Sequence, residues 1–180
     1  MPGPTFIDGA QVTLRTIEEE DLPVLQRYVN DPEVWRGIGR SDPVNAEQER
    51  EFFEDVVCDD GSVQLLVCAE GEAVGTVGLD LDQRAVQSGE LGYWIAPEHH
   101  NQGYGSDAAA LLTEYGFSQR GCHRIEARVF EFNDASQALL ESLGFREEGR
   151  RREATFIDGE YQDILRYGVL AEEWEAPDGV

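Results

Sequence analysis

The stretch Tyr93-Trp94-Ile95-Ala96-Pro97-Glu98-His99-His100-Asn101-Gln102-Gly103-Tyr104-Gly105-Ser106 decides how the rest of the chain is read. Ahead of it, Gly89-Glu90-Leu91-Gly92 runs on to Ile95 as a strand pattern, with Leu91, Tyr93 and Ile95 on one face and Glu90, Gly92 and Trp94 on the other. Behind it, Ala108, Leu111, Leu112 and Tyr115 step at helical spacing. Residues 96–105 read as a polar loop between the two. A helix that opens after such a loop exposes unpaired N–H groups and its positive dipole end. Gly103 and Gly105 permit a tight turn and let a phosphate approach the backbone. No Gly-Lys-Ser/Thr follows, so this is not a Walker loop, and the three-glycine dinucleotide spacing is missing. On these residues alone, a plain strand-to-helix turn accounts for the stretch as well as an anion cradle does.

Toward the N-terminus, Val12-Thr13-Leu14 reads as a first strand, and residues 18–28 as a helix with acids in its first turn. Asn30-Asp31-Pro32 breaks that helix. Asn45 caps a second one, from 46 to about 57, with Phe52, Phe53, Val56 and Val57 as its apolar stripe. Val63, Leu65, Val67 and Val77, Leu79, Leu81 alternate as two strands joined near Glu70-Gly71-Glu72. Toward the C-terminus, Ile125, Ala127 and Val129 mark a strand over 124–130. Asn133 starts a short helix through Ala135, Leu139, Leu140 and Leu143, and Gly144 stops it. Strands near 146–156 and 164–169 flank the turn Asp158-Gly159. Thr5-Phe6-Ile7-Asp8-Gly9 recurs letter for letter at 155–159; both copies read as strand-turn pieces, and with no longer period the match is coincidence. No linker divides the chain. The reading is one mixed α/β domain over 1–174, with an acidic tail at 175–180.

The chain has 180 residues, of which 41% are apolar, enough for a core. Its 14 basic residues against 37 acids leave a net charge of −23. That charge argues against unspecific binding to nucleic acid and against docking on an anionic membrane. No run of apolar residues is long enough to span a bilayer, and Met1-Pro2-Gly3-Pro4 does not resemble a secretory signal. Cys58, Cys68 and Cys122 are odd in number and widely spaced, which reads as reduced thiols in a cytoplasm rather than a disulfide framework or zinc site. His99 and His100 adjoin without a third ligand, so no metal is expected. All the basic residues are Arg. With acids spread along the whole chain, this favours a protein of a high-salt, halophilic cytoplasm, where a Debye length of ~3 Å at 1 M screens self-repulsion. Arg-for-Lys codon bias in an ordinary acidic protein is the alternative.

Residues Ile95 to Ala108 resemble the acetyl-CoA loop of the GNAT superfamily of N-acetyltransferases, whose pattern is Arg/Gln-x-x-Gly-x-Gly/Ala. Asn133-Asp134-Ala135-Ser136, followed by Leu143-Gly144-Phe145, resembles that superfamily's second CoA-contacting segment. Val12-Thr13-Leu14-Arg15, Asn30-Asp31-Pro32-Glu33-Val34 and Asp158-Gly159-Glu160-Tyr161-Gln162-Asp163 resemble the subgroup that acetylates ribosomal-protein N-termini, the RimJ/RimL-like enzymes. The resemblance implies a central twisted, mostly antiparallel sheet of about six to seven strands with about four helices, splayed at the acetyl-CoA site. It implies acetyl-CoA as co-substrate, held by Trp94, Ile95, His100, Asn101, Gln102, Gly103, Tyr104, Gly105, Ser106, Asn133 and Ser136. A homodimer is consistent with the family.

There are departures. The Arg/Gln position of the loop is His100, which either donates to a phosphate or sits exposed, and the usual following Gly is Asn101. The family's Tyr general acid falls at Leu140, so that acid is missing. The implied reaction moves acetyl to a primary amine, which must lose a proton to attack. Glu90 is the first choice of base, with Glu126 and Asp163 behind it. Asn133 would contact the pantetheine arm or merely cap its helix, and Ser136 would hydrogen-bond the sulfur or help that cap. The N–H groups of Trp94 and Ile95 would meet the oxyanion. Arg150-Arg151-Arg152 reads as ion-pairing rather than phosphate-binding, and Trp35 and Trp94 as core or rim rather than acceptor pocket. The acceptor expected first is a protein N-terminal α-amine. A polyamine, an aminoglycoside-like compound or an amino acid is the alternative, and a non-catalytic acyl-CoA-binding module a third reading. Because −23 repels an anionic coenzyme, acetyl-CoA affinity should rise from dilute buffer toward molar KCl, as calorimetry at several salt concentrations will show.

Overall fold

Leu65 and Val67 alternate with Leu66 and Cys68 along one segment, and all four are buried. A strand apolar on both faces belongs inside a sheet covered on both sides. A computed structural model, describing residues 2–82, 87–177 and 179–180, has that architecture. Its strands are β1 (Thr5–Asp8), β2 (Thr13–Thr16), β3 (Ser62–Ala69), β4 (Glu72–Asp82), β5 (Ser88–Ile95), β6 (Arg124–Phe130), β7 (Arg146–Ile157) and β8 (Glu160–Leu170). They form one sheet in the order β1-β2-β3-β4-β5-β6-β8-β7, in which only β5 and β6 run parallel. The helices are α1 (Leu22–Val29), α2 (Pro32–Gly37), α3 (Ala46–Phe52), α4 (Tyr104–Ser118) and α5 (Asp134–Ser142). One face of the sheet packs Leu65, Val67, Leu79 and Ile125 against the buried run Ala108–Leu112 of α4 and Leu140 of α5. The other packs Leu66 and Cys68 against Leu22 and Leu25 of α1 and the turn after α3. Burial pushes the Cys68 thiol up to about 11, which keeps it an inert apolar filler.

The sheet has one strand more than expected. The added strand is β1, the first copy of the repeated pentapeptide, which pairs with β2 at the sheet edge. There is also one helix more. Asn30-Asp31-Pro32 does break α1, but Asp31 then accepts from the Glu33 N–H as an N-cap and Pro32 takes the first helical position. A residue without an N–H ends one helix and suits the start of the next. Asn45 caps α3 as expected, accepting from the N–H groups of Glu47 and Gln48, and the last turn, Phe53–Val57, is wider than α-helical. Helix α4 opens at Tyr104, inside the segment read as loop. Asp158 (φ 54°) and Gly159 (φ 84°) make the expected tight hairpin turn. Within 175–180, read as a loose tail, Asp178 lies outside the described residues, and Val180 packs against the main core.

The feature that positions the site is a gap. The β5–β6 ladder runs only from Ser88↔Arg124 to Glu90↔Glu126. Beyond it β5 continues to Ile95 along β4, and β6 to Phe130 along β8, without pairing each other.

Candidate active site

A cavity of about 970 Å³ opens at this gap, between the ends of β5 and β6, the loop before α4, the start of α5 and α2. Glu90, Trp94, Ile95, Asn133, Ser136 and all seven residues from His100 to Ser106 line it. Residues chosen from separate parts of the sequence thus converge on one space.

The loop wall is built by backbone. Asn101 (φ 59°) and Gly103 (φ 83°) turn left-handed, and Gly103 is the residue before the first turn of α4. The first intrahelical bond runs from Asp107 N–H to the Gly103 carbonyl, so the N–H groups of Tyr104, Gly105 and Ser106 have no carbonyl within the helix. These donors at a positive dipole end fit a pyrophosphate without any basic side chain. An acid in that turn would oppose an anion. Asp107 is the acid there, and its Oδ2 accepts from the N–H groups of Gln11 at 2.7 Å and Val12 at 2.9 Å. The sequence reading passed over it, because its partners lie at the β1–β2 turn. Replacing Asp107 with Ala leaves both N–H groups without that acceptor, and should lower stability by about 1–3 kcal/mol in urea unfolding.

His100 is exposed, one of its two expected states, but its ring is not free. Its Nε2 lies 2.8 Å from the Ile95 carbonyl oxygen, pinning the loop to the end of β5. The oxyanion donors also need correcting. Ala96 N–H donates to Val74 of β4, and the register continues through Thr76↔Trp94. By the alternation of an antiparallel ladder, the Trp94 N–H turns to β4 and only that of Ile95 faces the gap. The Trp94 ring lines the cavity and leans on Tyr28, 5.9 Å between centroids.

On the α5 wall, Asn133 Oδ1 accepts from the Ser136 N–H at 3.1 Å, so it caps the helix and leaves its amide N–H₂ to the cavity. Ser136 Oγ lies 2.7 Å from the hydroxyl of Tyr93, which the strand alternation groups with Leu91 and Ile95. Burial pushes Tyr93 up to about 12, so it stays protonated. Leu140 is fully buried and offers no donor.

Glu90 and Glu33 are the carboxylates among the described lining residues. Glu90 is paired with Arg128, 2.5 Å from Oε1 to Nε. The runners-up are committed elsewhere. Hydrogen bonding from Arg124, with Arg166 adding to it, holds Glu126 below the usual carboxylate range. Asp163 accepts from Glu153 N–H and Arg150 at the β7 bulge, and neither acid lines the cavity. Of the three consecutive arginines, Arg150 is ion-paired as expected, while Arg151 lines the cavity. Trp35 does not line it; Arg36 stacks on its ring.

The acetyltransferase (GNAT) domain family matches residues 11–146, which spans the gap, the loop and the start of α5. The chain belongs to the GNAT family. It is 30% identical over 171 residues to the uncharacterized N-acetyltransferase p20 of Bacillus licheniformis, covering 91% of this chain and 95% of that protein. Among solved structures it is similar to spermidine N-acetyltransferase from Vibrio cholerae in complex with CoA and spermine. The TM-score is 0.84 at 27% identity, with 91% and 97% of the two chains covered. It is also similar to Mycobacterium smegmatis RimJ in complex with CoA-disulfide, with TM-score 0.81 at 25% identity and 99% and 90% covered. The protein is therefore an acetyl-CoA-dependent N-acetyltransferase, and the backbone cradle before α4 is chemically suited to the coenzyme's pyrophosphate. Among the described residues, no helix of this GNAT domain is long and apolar enough to cross a membrane.

Proposed function

We propose that this GNAT enzyme acetylates the α-amine of a peptide or protein N-terminus, in the manner of the RimJ/RimL-like subgroup. One observation carries the choice: the carboxylate nearest the strand gap, Glu90, is held by Arg128. Paired with Arg128, Glu90 leaves the groove no unbalanced negative charge there with which to hold an ammonium ion. An α-amine, with pKa ~7.7–8.0, is already half neutral near pH 8, whereas an alkylamine near ~10.4 needs far more help. The cavity charges point the same way. Glu33 and Glu90 are balanced by Arg128 and Arg151, so the groove does not share the −23 of the whole chain and makes a poor trap for a polycation.

The roles follow. The N–H groups of Tyr104, Gly105 and Ser106 hold the pyrophosphate, and the Asn133 amide holds the pantetheine arm. Acetyl-CoA supplies a thioester carbonyl whose carbon the amine attacks, with the C–S electron pair leaving on sulfur. Glu90 takes the amine's proton, directly or through water. The Ile95 N–H donates to the developing oxyanion, and Ser136 donates to the sulfur. The all-Arg, acid-rich composition supports assigning this enzyme to a saline cytoplasm.

Free-thiol release from acetyl-CoA in molar KCl tests the proposal, with peptides of varied N-terminal residue set beside spermidine and free amino acids. Turnover should be confined to peptides. It should rise about tenfold per pH unit below the α-amine pKa and level off above ~8, because deprotonation makes the nucleophile and is then complete. Fastest turnover on spermidine, still climbing at pH 9, would overturn it.

A further inference from the structure

We infer that Tyr93 is a positioning residue for Ser136, and that the two hydroxyls together stabilise the thiolate of the departing CoA. The reading uses the acetyl-CoA site described above and is independent of which amine is the acceptor. Two hydroxyls 2.7 Å apart share one hydrogen between them. A phenol is a better donor and a poorer acceptor than an aliphatic alcohol, so Tyr93 donates to Ser136 Oγ. That leaves the Ser136 proton for the cavity that both residues line. Backbone geometry holds each in place. Tyr93 sits on β5 opposite Val77 of β4, and Ser136 is in the first turn of α5, its N–H bonded to Asn133. The pair spans the gap from β5 to α5, so it supplies from the strand side a hydroxyl that Leu140, fully buried on α5, does not. Its task is hydrogen bonding rather than proton donation. A thiolate whose thiol titrates near ~8.5 does not need a proton from a group titrating near 12.

The consequence can be read by binding alone. Donors aimed at the sulfur lower the pKa of bound CoA thiol below its free value of ~8.5, so CoA should bind tighter at high pH. A depression of one unit makes the affinity for CoA about eightfold higher at pH 9.5 than at pH 6.5. Acetyl-CoA has no titrating thiol and meets the same charged and titratable groups of the cavity: Glu33, Glu90, His99, His100, Tyr104, Arg128 and Arg151. The ratio of CoA to acetyl-CoA affinity therefore cancels them. Calorimetry on the full chain should show this ratio rising about eightfold in the wild type, and staying flat in Tyr93→Phe and in Ser136→Ala. In turnover, Tyr93→Phe should lower kcat about tenfold while changing KM for acetyl-CoA less than about twofold, with the double variant no worse than either single one. A flat ratio in the wild type, or an undiminished one in Tyr93→Phe, overturns the inference. Failure of every peptide as acceptor, with the ratio still rising, removes the acceptor proposal and leaves this one standing.

Discussion

Gly92→Leu should lower kcat/KM for the amine acceptor by at least about a hundredfold, equivalent to ~2.7 kcal/mol of transition-state binding, while acetyl-CoA affinity stays within about twofold. Gly92 lines the cavity, and a Cβ built on it meets nothing within 4 Å. It lies in the β5 pattern on the face of Glu90 and Trp94, opposite the face of Tyr93 that meets α5 and Ser136. A leucine there projects into the space beside the proposed base. It leaves untouched the loop N–H groups and Asn133 on the other side. The strand itself gains, since glycine inside a strand is destabilising by about 0.5–1 kcal/mol. The melting temperature should therefore be equal or higher, which separates a blocked site from a damaged fold. Unchanged turnover in a folded Gly92→Leu protein would mean that the acceptor does not enter over this face.

The second large effect belongs to Glu90→Gln. Loss of a general base typically costs 10²–10⁴-fold, and kcat/KM should fall by about a hundredfold at pH 7. The deficit should narrow toward pH 9, because an α-amine there reaches the site neutral and solvent carries off the remaining proton. The Glu90–Arg128 pair is half exposed, with 39% and 56% of the two side chains accessible. Breaking it should barely change the melting temperature, as surface pairs contribute ~0–1 kcal/mol. Steady-state rates across pH, with thermal melts beside them, decide this. A deficit that is the same at every pH would reassign Glu90 from proton acceptor to a partner that holds Arg128 in place.

Local patterns carried much of the fold. The alternation of Leu91, Tyr93 and Ile95 against Glu90, Gly92 and Trp94 put each residue on its observed face. Asn45, Gly144 and Asp158-Gly159 marked their boundaries because capping and tight turns depend on a few adjacent residues. The same locality explains the misses. Pro32 reads as a stop whether or not a helix resumes after it, so α2 went unseen. The edge strand β1 falls where residues 5–9 read as a strand-turn piece, but four residues carry no signal that β2 is the partner.

For the site, the loop was legible because a backbone cradle is written in two nearby glycines and a helix start, while Asn133 and Glu90, which also line the cavity, were pointed to by the family resemblance. Residue order along the chain was insufficient wherever a side chain chooses among distant partners. His100 reaches the Ile95 carbonyl while staying exposed, and Arg128 takes up Glu90. Ladder alternation leaves the Ile95 N–H, but not that of Trp94, free toward the gap. Asp107 reaches Gln11 across 96 residues, and Tyr93 meets Ser136 across 43. Spacings of that length carry no period or motif. The termination of the β5–β6 ladder after Glu90 brings these groups around one cavity, and it depends on how two separate strands pack, not on the residues of either one.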